Sequence, residues 1–234
     1  MEVVSEGLTG SSGSVFRHVD DAGDVGAYTL SGGEFLLKRT GGTSILNPTQ
    51  GDFFNAFCLE PRVSIGSNAT MYEVSPLEQA HQYSSPDGAL GTAKANYIRE
   101  LMYQVHPDFA ESLTATEGLA IQISLWEIAR DNNLGHYVVT EGAAGAGDVW
   151  FRALTTDGGL SAAAILLAQT WLDSYVNDGV MGPMLNNLYT LTYDGKQDII
   201  FQAAAVPVPP SLLLFGSALL GFAGFRRHRK SKAA

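Results

Sequence analysis

Cysteine is almost absent. Cys58 is the only one in 234 residues, which excludes an internal disulfide and any fold stapled by disulfides. Charge is sparse, and the cation is the scarcer sign: 14 Lys and Arg stand against 24 Asp and Glu, a net charge of −10. Five of the basic residues follow Phe225, with no acid among them, so the chain before them carries a balance of about −15. A body this acidic is a poor partner for nucleic-acid phosphates. The histidines lack metal-ligand spacing, and Gly142–Gly147 has no lysine placed to cradle a phosphate, so the sequence points to no metal and no cofactor. Internal repeats and low-complexity linkers are also missing. Met1–Gly13 carries Glu2 and Glu6 where a secretory leader would have an apolar core. An exported chain would need that leader upstream.

What the sequence does have is a distinctive tail. Val206 opens the run Val-Pro-Val-Pro-Pro-Ser, an apolar stretch follows from Leu212 to Phe225, and Arg226, Arg227, His228, Arg229, Lys230 and Lys232 close it. Counted from Val206, the apolar part is about long enough for a transmembrane helix. Its basic end would stay cytoplasmic, which puts everything before Val206 across the membrane. This order of proline motif, apolar helix and arginine cluster resembles the PEP-CTERM sorting signal of Gram-negative bacteria. The resemblance implies recognition by an exosortase, cleavage near Pro207 and Pro209, and delivery of the body to the envelope or outer surface. The initial anchor would be the C-terminal helix, with Arg226 and Arg227 at its cytoplasmic end. The usual Pro-Glu-Pro here reads Pro207-Val208-Pro209.

The body predicts an α+β fold in which antiparallel strands flank a helical insert of about three helices. Three regions follow: a flexible segment over 1–24, a folded domain over 25–204, and the sorting tail over 205–234. Val25–Leu30 and Glu34–Leu37 read as a hairpin around Ser31-Gly32-Gly33, and Asp52–Leu59 as a strand. Thr92 would cap a helix running to His106 before Pro107. Thr114 and Glu117 form a capping box for a helix to Arg130. A third helix covers Ser161–Val176, and Leu188–Tyr193 and Asp198–Ala203 pair around Asp194-Gly195.

Two residues sit oddly in that plan. Cys58 ends an apolar strand. Gln122 lies on the helical face of Leu119, Ile123 and Trp126, where an unmatched carboxamide costs about 1–3 kcal/mol. The plain reading is a packed thiol and a core glutamine bonded to nearby backbone. The chemical reading joins them: a thiolate held against a glutamine carboxamide can attack it and expel ammonia, leaving an internal thioester. Burial beside Phe57 and Trp126 would keep water away. An attacking amine would then be joined covalently to the protein, once and without turnover, so this reading makes the chain no enzyme.

Phe57-Cys58-Leu59-Glu60, followed by Ala120-Ile121-Gln122-Ile123-Ser124-Leu125-Trp126-Glu127-Ile128, resembles the thioester domains of bacterial surface adhesins. The resemblance runs over about Phe53–Tyr193. It implies that Cys58 supplies the sulfur and Gln122 the acyl group, and that the partner is an amine-bearing surface target. Members often have Thr before the Gln, where this chain has Ile121. Glu60 or Glu127 could accept a proton during the exchange, although the plain reading makes Glu60 a surface residue and Glu127 a solvated helix position. Two other functions stay open. One is a Cys-dependent hydrolase or transamidase with His81, His106 or His136 as base. The other is a non-catalytic envelope or biofilm-matrix protein.

Overall fold

In the computed structural model of the chain the described residues are 1–9, 30–42, 51–60, 65, 68–81, 88–131, 134–140 and 151–203. The chain divides into two units, Met1–Ala203 and Ala204–Ala234, and every described residue lies in the first. The expected sorting tail, its transmembrane helix and the first arm of the hairpin (25–29) fall outside the described residues. Among the described residues, no helix is long and apolar enough to cross a membrane.

Among the described residues the fold is α+β, with one antiparallel sheet and three α-helices. The strands are β1 (Glu2–Leu8), β2 (Phe35–Gly41), β3 (Phe53–Cys58), β4 (Thr70–Met71), β5 (Glu73–Pro76), β6 (Leu188–Thr192) and β7 (Ile199–Gln202). The helices, α1 (Gly91–Val105), α2 (Ala115–Arg130) and α3 (Leu160–Tyr175), are inserted between β5 and β6. The sheet order is β4-β1-β2-β3-β7-β6-β5. Only Tyr72 separates β4 from β5, so the two edges of the sheet meet there: one short stretch of chain pairs with β1 on one side and β6 on the other. The sheet therefore curls round an interior of its own, which leaves little open strand edge.

Strand alternation sorts the apolar side chains into two cores. Val3, Leu37, Ala56, Cys58, Tyr72, Leu191, Ile199 and Phe201 pack together inside the curled sheet. Phe57, Leu59, Leu188 and Ile200 point the other way and pack against the helices. β3 and β7 thus serve both cores, and Cys58 and Phe57 project to opposite faces.

α2 begins on the expected capping box: the Thr114 hydroxyl accepts from the Glu117 N–H at 3.2 Å, and the Glu117 carboxylate accepts from the Thr114 N–H at 2.9 Å. Every residue from Gly118 to Arg130 is buried, because α2 lies centrally against α1, α3 and β3. This corrects the reading of Glu127 as solvated. A helix buried all round has no solvent face for it. Two further differences concern local signals. α1 starts at Gly91 with Leu90 in the cap position and no side-chain cap, so Thr92 lies inside the helix. Glu2–Leu8, read as part of a flexible segment, is strand β1, bonded to both β2 and β4 with Val3 in the core.

Candidate functional site

The site is built where β2 leaves β3. Their pairing runs from Lys38↔Phe53 to Phe35↔Ala56. Two more residues of that register would set Gly33 opposite Cys58, but the ladder stops at Phe35. On the other side of β3, the Leu59 N–H donates to the Asp198 carbonyl at 2.9 Å. Hydrogen-bonding groups alternate sides along a strand, so the N–H and C=O of Cys58 face the position that β2 has vacated.

Gln122 fills that position. Its Oε1 accepts from the Cys58 N–H at 3.0 Å, and its Nε2 donates to the Cys58 carbonyl at 2.6 Å. The side chain acts as a one-residue strand, and both polar ends of a completely buried carboxamide are satisfied. The chain thus brings Cys58 and Gln122 together across 64 residues of sequence. Trp126, one turn further along α2, is 2% exposed and stacks on Phe151 at 6.2 Å between ring centroids.

Gly32 closes the site from above. A Cβ there would stand 3.0 Å from Gln122 Cγ and 3.0 Å from Trp126 Cη2, closer than packed carbons sit. Gly32→Ala should therefore displace both side chains and destabilise the protein by roughly 1–3 kcal/mol. A thermal melt matching the wild type would show that the backbone does not press on Gln122 as described.

The Cys58 thiol lies on the inner face of the sheet, 1% exposed and free of any disulfide. It belongs to the inner core with Leu37, Ala56 and Tyr72, while Phe57 and Trp126 belong to the core on the opposite, helical face. Burial pushes the thiol pKa well above its ordinary value, and the nearby Glu60 carboxyl adds to the shift. The Tyr72 hydroxyl, pushed up to about 12 chiefly by burial, feels both Cys58 and Asp198. Among the described residues it has no hydrogen-bond partner.

Glu60 is not the surface residue that was expected. It is 6% exposed, because the chain runs on along β7 after Cys58. Its Oε2 accepts from the Asp198 N–H at 3.0 Å, and its carbonyl accepts from Gln197 Nε2. Asp198 is itself fully buried and accepts from the His81 backbone N–H at 2.6 Å, with the His81 ring nitrogen 3.3 Å from its other oxygen. Asp198 carries no local signal of a role; it is distant in the chain and comes in through the β3–β7 pairing. Burial raises the pKa of Glu60 and of Asp198 from their ordinary values.

The remaining candidates have other duties. Glu127 Oε1 accepts from the Val138 N–H at 3.0 Å and ties α2 to the following loop. His106 is 1% exposed, lies 3.4 Å from Glu34 and stacks on Phe109. His136 is exposed. Among the described residues, no cluster of His, Cys, Asp or Glu could hold a metal ion. Pro207, Pro209, Arg226 and Arg227 lie outside the described residues.

Comparison with known proteins places the chain in a class through its tail. Residues 205–230 match the PEP-CTERM protein-sorting motif. The chain is thus an exported protein, bound for the cell envelope and sorted by an exosortase-type system. No curated protein and no solved structure matches it.

Proposed function

We propose that the body is a covalent attachment module in which Cys58 and Gln122 form an internal thioester that captures amines at the cell surface. The observation that carries this is the double hydrogen bond between the Gln122 carboxamide and the Cys58 backbone. It holds the carboxamide against the backbone of the residue whose thiol would attack it. The Cys58 N–H already donates to Oε1, where negative charge would build as sulfur attacks. Nε2, the leaving group, is held by the Cys58 carbonyl. Attack forms the Sγ–Cδ bond, breaks Cδ–Nε2 and releases ammonia. A target amine later breaks Sγ–Cδ, forms an amide at Gln122 and returns the thiol. The bond is used once, so the chain is not an enzyme.

The tail would deliver this module. Leu212–Phe225 would hold the exported chain in the inner membrane, and the exosortase-type enzyme would act near Pro207 and Pro209, with Val208 between them.

Thiol titration tests the proposal. Rapidly denatured wild-type protein should show almost no maleimide-reactive thiol, and one per chain after methylamine treatment. One full thiol without methylamine overturns it. That result would favour the second reading, a non-catalytic matrix protein. Its supporting observation is that Gln122 fully completes the Cys58 ladder as a plain carboxamide.

A further inference from the structure

Gln122 is completely buried, so an amine needs a way in to the carbon it attacks. Cys58, which holds the carboxamide from one side, stands between Phe57 and Leu59, both buried. On the helix, every residue from Gly118 to Arg130 is buried. Gly32 is different. A Cβ on it would stand 3.0 Å from Gln122 Cγ, the atom bonded to the acyl carbon, and its neighbour Ser31 is exposed. Along the chain, solvent is thus one residue away from the group that covers Gln122. Ser31, Gly32 and Gly33 make no hydrogen bond to another described residue. The fastening comes at Glu34, which is buried. Its carbonyl accepts from the Thr9 N–H at 2.8 Å, and the Thr9 hydroxyl reaches both that carbonyl, at 3.1 Å, and Oε2, at 2.9 Å. Oε1 lies 3.4 Å from Nε2 of the buried His106. Between cover and fastening, Gly33 has a φ of +137°, a setting that suits glycine and lets the chain turn there.

We propose, resting on the thioester reading, that Ser31-Gly32-Gly33 is a strap across the entrance to the thioester, and that Glu34, fastened by Thr9, is the residue that sets which amines pass. A strap without hydrogen bonds to the described fold shifts by small amounts while the rest stays closed. Such shifts admit a slim primary amine on an unbranched carbon. A bulky amine needs the strap raised clear of Gln122, and that strains the Glu34–Thr9 fastening. In capture the amine nitrogen bonds to Cδ, the Sγ–Cδ bond breaks, and one amine proton goes to Sγ. Glu34 takes no part in that exchange and acts through the strap alone.

The test uses the full-length chain and two primary amines of similar basicity, methylamine and cyclohexylamine. Opening of the cross-link is followed by intact mass as the gain of one amine. The ratio of the two rates is compared between variants, so the intrinsic reactivities of the amines cancel. Wild type should favour methylamine. Thr9→Val deletes the hydroxyl and keeps the backbone N–H bond, and the ratio should fall about tenfold, as the loss of one hydrogen bond of ordinary strength allows. Thr9→Ser keeps the hydroxyl and should retain the wild-type ratio. Glu34→Gln, which gives up the carboxyl facing His106, should lower the ratio by less. Ile165→Val, a core truncation on α3, controls for stability alone and should also retain the wild-type ratio. An unchanged ratio in Thr9→Val would overturn the role, and so would an equal fall in Ile165→Val. If Thr9→Val does not fold, an unchanged ratio in Glu34→Gln overturns it. A wild-type chain at full, unmodified mass would instead overturn the thioester, and this role with it.

Discussion

Gln122→Ala should abolish the loss of ammonia and also weaken the fold by about 2–4 kcal/mol. The second effect follows from the ladder. Removing the carboxamide leaves the Cys58 N–H and C=O buried beside a vacated strand position, and each orphaned group costs about 1–3 kcal/mol. Cys58→Ala should behave differently. It also abolishes the ammonia loss, but it leaves both backbone bonds intact and removes only one buried sulfur, at a cost of about 1 kcal/mol. The pair of variants separates chemistry from architecture: equal loss of the cross-link, unequal loss of stability in denaturant unfolding. Equal stabilities would mean that Gln122 does not complete the sheet.

Trp126→Ala should be the most destabilising single change at the site, by about 3–5 kcal/mol. The indole is 2% exposed, lies against Gly32 and stacks on Phe151. Its removal opens a cavity over the Gln122 side chain and forfeits the ring pair as well. A thioester carbonyl kept dry by that ring would also become accessible, so the closed form should lose its cross-link to water faster in the variant than in wild type. Denaturant unfolding gives the first effect, and the regain of one water by intact mass gives the second. Wild-type hydrolysis in a destabilised variant would place the water barrier elsewhere.

The helical part of the fold was legible because its signals are local. The Thr114–Glu117 box marks the start of α2, Pro107 lies just past the end of α1, and the turn at Asp194-Gly195 joins the strands on either side. β1, β4 and β5 were not read as strands. They are short or polar, and they exist through pairing with distant residues: Glu2 with Gly41 and Met71, and Val74 with Leu191. Cys58 and Gln122 were legible as a pair because each breaks a pattern, one as a solitary thiol and one as a polar group on an apolar face. The way they meet was not legible. It depends on where β2 stops pairing with β3, which no local feature encodes.

The acids show the same limit. Glu60 and Glu127 read as solvated because an isolated glutamate usually is. Their burial follows from tertiary neighbours, Asp198 for Glu60 and the Val138 N–H for Glu127. The Phe57 ring was expected to shelter the thiol, but strand alternation sends it to the helical core and leaves Tyr72 and Leu37 beside the sulfur.

The most direct test of the central claim is the intact mass of the purified, full-length chain. The account predicts a mass lower than the sequence by one ammonia, raised by one methylamine on incubation with that amine, and equal to the unmodified sequence in both Cys58→Ala and Gln122→Ala. A wild-type chain at full sequence mass, unchanged by methylamine, would contradict it.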